Sequence, residues 1–131
     1  NFDRWVNLFL EAGFVRIEGS HLYDDGLKWV RIWDQNLGKT QIMSMSGMGH
    51  SGNVSDFTRN KQYMEVISAL MKALRSHVTE AGWENQYVQH IFDEPSPAQR
   101  QPFIDLVKLV RDIWPNIVLV DAANDYPARG L

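Results

Sequence analysis

Cysteine is absent from this 131-residue chain, which excludes disulfide staples and thiolate metal sites. That absence does not choose between the cytoplasm and an extracytoplasmic compartment. Charge is not concentrated either: 13 Lys and Arg stand against 16 Asp and Glu, a formal charge of −3, with no basic tract. The electrostatic footprint of a nucleic-acid binder is therefore missing. No apolar run approaches the roughly 18 residues of a membrane span, and no signal-peptide pattern opens the chain. Phosphate-binding glycine loops are lacking too. GMGHSG, residues 47–52, matches G-x-G-x-x-G only loosely and follows no clear βαβ strand. No Ser sits in a G-x-S-x-G elbow. His90 and Asp93 form an H-x-x-D that is common by chance and lacks further ligands, so no metal is expected.

What remains is 44% hydrophobic residues, enough for one globular domain with a real core. Phe2, Trp5, Val6, Phe9 and Leu10 recur at helical spacing, and Gly13 is a plausible stop. FVRIE, residues 14–18, alternates as a short strand. KWVRIWD and KTQIMSM flank Gln35–Gly38 as a hairpin with a longer loop. Gly and Ser fill residues 45–55, which reads as a flexible loop. A long helix over roughly 59–81 carries Tyr63, Val66, Ile67, Leu70, Leu74 and Val78 as its buried stripe, ending at Gly82. YVQHIF, residues 87–92, reads as the next strand. Phe103, Leu106, Val107, Val110, Ile113 and Trp114 form another helical face, with Pro102 near its start and Pro115 beyond its end. IVLVD, residues 117–121, has the look of a strand buried on both faces.

Apart from the hairpin, the order is α-β-α-β-α-β, which implies βαβ units and a parallel sheet. The three main strands end in EGSHL, DEP and DAAND, apolar residues giving way to polar ones. Ligands of parallel α/β folds bind at the carboxyl ends of strands. Residues 20–58 follow the first strand and would overhang that edge as a hairpin and Gly/Ser-loop insertion. Three strands do not close a barrel of about 250 residues. The chain starts inside an apparent helix without an initiator Met and stops at Arg129-Gly130-Leu131. The expectation is an excerpt of a larger protein.

The chemistry concentrates in YVQHIFDEPSP, residues 87–97. A plain reading has Asp93 and Glu94 solvated before a helix that Ser96 caps and Pro97 opens. A functional reading uses their repulsion, which favours a proton on one and leaves a donor beside an ionised partner. Strand alternation puts His90, Phe92 and Glu94 on one side and Gln89, Ile91 and Asp93 on the other. Adjacent carboxylates could meet one ligand only where the pleat gives way. Most glycosidases set two carboxylates about 5 Å or more apart across the sugar. Neighbouring acids suit the substrate-assisted exception better.

GWENQYVQHIFDEP (82–95) together with FDRWVNLFLEAGFVRIEGSHL (2–22) resembles glycoside hydrolase family 123. The resemblance runs through nearly the whole chain and is weakest over residues 36–58. It implies part of a (β/α)8 catalytic domain that releases N-acetyl-β-galactosamine with retention. It implies that Asp93 orients the substrate's acetamido group and that Glu94 is the general acid and then the base. No cofactor is implied, because the substrate supplies the nucleophile, and a secreted or periplasmic bacterial setting is favoured. The partner would be a glycan, with no nucleic acid or membrane; the oligomeric state is not legible.

Substrate contacts are expected from residues near the same edge. His21 follows a strand end, although an isolated loop histidine is commonly a surface residue. His90 could line the site or be a satisfied core histidine. His50 would need the Gly/Ser loop to fold over. Trp29 and Trp33 share a hairpin face with Arg31; either, Trp33 foremost, could stack on a sugar, although aromatics at strand spacing are often core. Asp121 and Asn124 follow the last strand. Trp83 and Trp114 read as packing residues. Two other readings stay open: a barrel glycosidase pairing Glu94 with a carboxylate on another strand, and a non-catalytic carbohydrate-binding or scaffold domain.

Overall fold

The computed structural model describes residues 2–23, 29–44 and 61–122. Along the chain run α1 (Phe2–Glu11), β1 (Ile17–Gly19), β2 (Trp29–Asp34), β3 (Lys39–Ser44), α2 (Lys61–Glu80), β4 (Tyr87–His90), α3 (Arg100–Ile113) and β5 (Val118–Val120). A 3-10 turn, Pro97–Gln99, leads into α3. Strands β1, β4 and β5 form one parallel sheet in that order. Helix α2 connects the first pair and α3 the second, an α/β architecture. Strands β2 and β3 make a separate antiparallel hairpin, from Trp29 opposite Ser44 to Asp34 opposite Lys39. Asp34 Oδ1 accepts the Asn36 and Leu37 N–H groups at 2.9 and 3.0 Å and shapes the turn. The Gly/Ser segment 45–55, His50 included, lies outside the described residues, as does residue 124.

Strand β1 begins three residues later than the alternation of 14–18 suggests. Gly13, at φ 92, ends α1 in a Schellman motif: Phe14 N–H donates to Phe9 O and Gly13 N–H to Leu10 O. The Phe14 ring lies edge-on against Phe9 at 5.1 Å. That motif consumes the first residues of the apparent strand and leaves Val15 78% exposed. Gly82 closes α2 in the same way, with Trp83 N–H donating to Val78 O.

The stripe of α2 is Tyr63, Ile67, Met71 and Val78, all buried. Leu70 is half-exposed and Met71 occupies the core position instead, because the buried face follows i, i+4, i+8 from Tyr63. Leu106, Val110 and Trp114 of the α3 region bury as the spacing requires. Strand β5 is not buried on both faces: Val118 is 49% exposed. It is an edge strand of the described sheet, and its outer face has no described layer upon it.

Alternation divides the sheet. Ile17, Gly19, Tyr87, Gln89 and Leu119 face the helices, where Tyr87 stacks on Trp114 at 5.8 Å and 5°. Gln89 is almost wholly buried and fully engaged. Its Oε1 accepts from Tyr87 Oη at 2.8 Å, and its Nε2 donates to Ser20 O and His90 O, each at 2.7 Å. Burial pushes the Tyr87 hydroxyl up to about 12, so it remains a donor. Gly19 makes this arrangement possible. A Cβ there would overlap the Tyr87 hydroxyl and come within 2.8 Å of Gln89 Oε1. With Tyr87 held against Trp114, Gly19→Ala is expected to cost about 1–3 kcal/mol. Chemical denaturation reads this, and an unchanged midpoint would show that Tyr87 moves freely.

Candidate functional site

Glu18, Val88, His90, Val118 and Val120 occupy the face turned away from the helices. His90 closes β4 at its carboxyl end. Its Nδ1 donates to Glu18 Oε1 at 2.6 Å, and its Nε2 stands 3.7 Å from Asp121 Oδ1. His21 sets its ring edge-to-face on His90, centroids 4.1 Å apart. Three expected substrate contacts, His21, His90 and Asp121, therefore gather in one cluster at the strand ends. Sequence reasoning missed Glu18, whose place on the His90 face follows from the parallel register alone.

Within that cluster His90 Nε2 and Asp121 Oδ1 are both buried without a hydrogen-bond partner. At 3.7 Å the two atoms face each other beyond direct hydrogen-bond reach. Asp121 Oδ2 accepts the Phe92 N–H at 3.0 Å. Burial pushes the Asp121 carboxyl above the usual carboxylate range, opposed by the Phe92 N–H, by His90 and His21, and by the Ala122 N–H. Because folding raises the proton affinity, this group favours the fold most when protonated and loses that contribution as pH rises. Asp121→Asn is neutral throughout. Its melting temperature relative to wild type is therefore expected to be higher at pH 7 than at pH 3, on either side of the ordinary value near 4. The opposite trend would mean that the ionised carboxylate stabilises the fold.

The ladder ends at His90, and the chain carries on through buried Ile91 and Phe92. Ile91 O accepts both the Leu22 and Tyr23 N–H groups at 3.1 Å. Tyr63 Oη donates to Leu22 O at 2.8 Å and ties that segment to α2. The Phe92 ring lies between Tyr23, stacked at 4.5 Å, and Phe103, edge-on at 5.8 Å. After this clamp the backbone bends at Asp93 and Glu94, both exposed. Glu94 has φ 47, the one positive φ outside glycine among the described residues. Such a conformation costs about 1–3 kcal/mol, and Pro95 adds its own bias toward extended backbone at the preceding residue. The bend releases the two carboxylates from strand alternation. Ser96 then caps the 3-10 turn that Pro97 opens, its N–H donating to Gln99 Oε1 at 2.7 Å.

A cleft of about 700 Å³ beside β1 takes in Glu18, His21, Leu22 and His90, with Leu70 and Leu74 beneath. A groove of about 610 Å³ around Lys72, Arg75, Thr79 and Asp112 lies between α2 and α3, on the helical layer. Trp33 is 63% exposed on the hairpin opposite Thr40, on the same face as exposed Arg31. The side chain of Trp29 lies outside the described residues. Trp114 is buried and Trp83 half-buried, both as packing residues. Among the described residues no group of three or more His, Asp or Glu is arranged to hold a metal ion. No described helix is long and apolar enough to cross a membrane.

A search of curated proteins returned no match. Over residues 1–129 the chain matches the family model described as glycoside hydrolase 123, catalytic domain. The chain belongs to that glycoside hydrolase family, so its chemistry is hydrolysis of a glycosidic bond and its substrate a carbohydrate.

Proposed function

We propose that this chain is the part of a (β/α)8 domain that carries the catalytic carboxylates. The proposed reaction removes a terminal β-linked N-acetylhexosamine, N-acetylgalactosamine foremost, with retention. The observation that supports it best is the pair of exposed neighbouring acids, Asp93 and Glu94, on a bend just past β4.

In this mechanism the substrate's acetamido oxygen attacks C1 while Glu94 protonates the departing glycosidic oxygen. Asp93 accepts the acetamido N–H and balances the positive charge that builds on the oxazolinium-like ring. Glu94, now ionised, takes a proton from water, which opens that ring at C1. Two inversions give net retention. His21 and Trp33 are proposed sugar contacts, with Asn124 beyond the last strand; His90, mostly buried behind the edge-to-face His21 ring, is proposed to hold that ring toward the site. An exposed indole such as Trp33 suits the apolar C–H face of a sugar.

The test is a pair of aryl glycosides, one N-acetyl-β-galactosaminide and one plain β-galactoside, offered to the full-length protein. The reading requires a strong preference for the first. Equal rates would favour a mechanism in which Glu94 works with a carboxylate on another strand.

A further inference from the structure

We propose that Asp121 is a positioning residue for the Asp93–Glu94 pair, acting through the Phe92 peptide; this rests on the reading of that pair as catalytic. The last pairing between β4 and β5 is His90 with Val120. One residue beyond it on β5, the Asp121 side chain takes over from the backbone and accepts the Phe92 N–H at 3.0 Å. The other flank of the same peptide is held where Ile91 O receives the Leu22 and Tyr23 N–H groups. The peptide that launches the bend is therefore gripped from β1's side and from β5's side at once. Downstream, Asp93 and Glu94 are exposed and beyond the ladder, so their aim depends on how that peptide is oriented.

Asp121 is badly placed to touch a sugar. Its side chain is 13% exposed, and Oδ1 is buried against His90 Nε2. Its chemistry is spent inward, on a backbone donor two residues from Glu94. Loss of that acceptor would let the Ile91–Phe92 peptide rotate and carry both acids off their line. Misplacement of reacting groups by about 1 Å is worth about 100-fold in rate.

The experiment compares Asp121→Ala, Asp121→Ser and Asp121→Asn in the full-length protein, on aryl N-acetyl-β-galactosaminides of graded leaving-group acidity. Ala removes the acceptor and Ser cannot reach, so each is expected to lower kcat about 100-fold with KM little changed. Asn keeps an oxygen for the Phe92 N–H and is expected to recover most of that loss. The defect should shrink on a dinitrophenyl leaving group, which departs without a proton from Glu94. A raised KM with normal kcat would overturn the proposal in favour of substrate contact. Lowered melting with normal kinetics would overturn it in favour of a structural role, and equal losses in Asn and Ala would exclude the hydrogen bond. Glu94→Gln, run alongside, separates the two failures. If it matches wild type, the catalytic pair itself is wrong. If it is inactive while Asp121→Ala turns over normally, only the positioning role falls.

Discussion

Glu94→Gln is expected to lower turnover of an N-acetyl-β-galactosaminide by about 10²–10⁴-fold, the range that general acid–base catalysis contributes. The amide is nearly the shape of the acid but has no proton to deliver to a leaving alkoxide. An activated phenol needs none, so the variant should recover on such a substrate at the glycosylation step. Asp93→Asn is expected to lose about 10²–10³-fold without that recovery, because its proposed partner is the acetamido group and not the leaving oxygen. Both side chains are exposed, and surface substitutions of this kind shift stability by no more than about 0.5 kcal/mol. The strain at Glu94 comes from its backbone, at φ 47, and Gln inherits it unchanged. Circular dichroism and melting should therefore match wild type while kinetics do not. Wild-type turnover in both variants would end the catalytic assignment.

The larger effect concerns the substrate. An acetamido oxygen tethered beside C1 attacks as though at enormous concentration; effective molarities of well-oriented intramolecular groups reach about 10⁵–10⁸ M. A β-galactoside that lacks the group forfeits that advantage. It also leaves Asp93 with no N–H to accept. The expected fall in kcat/KM is roughly 10⁴-fold or more, measured with the same aryl leaving group on both sugars. Comparable rates would instead mean that a carboxylate of the protein supplies the nucleophile or activates water. The partner of Glu94 would then sit on a different strand, about 5 Å or more away.

The two substitutions and the substrate pair probe separate links. The variants ask which side chains act; the substrate pair asks whose oxygen attacks C1. A protein could pass the first and fail the second. In that case Asp93 would be left with the cap-side role that its place before Ser96 and Pro97 also allows.

Local chemistry was strongly legible in this sequence. Gly13 and Gly82 end their helices because each takes a left-handed conformation that lacks steric cost only for glycine. Hydrophobic spacing located α2, α3 and the parallel strands, and the resemblance carried by residues 2–22 and 82–95 named the family that the match over 1–129 shows. Alternation along β4 separated His90 from Gln89, but Glu18 joined the His90 face only through the parallel register that the structure supplied.

Tertiary structure decided what periodicity could not. The start of β1 moved because a Schellman motif claims Phe14, a competition between hydrogen-bond partners that an alternating pattern does not record. Leu70 gave way to Met71 because the helix rotates to bury Tyr63 and Val78 together. Above all, strand parity would have sent Asp93 and Glu94 to opposite faces. The ladder stops at His90, the buried Phe92 peptide is clamped between residue 22–23 backbone and Asp121, and Glu94 turns left-handed before Pro95. The clamp joins Phe92 to Asp121, 29 positions away, and Ile91 to Leu22 and Tyr23 near the start of the chain. The neighbouring acids were written in the sequence; the bend that takes them out of strand alternation comes from partners that only folding brings together.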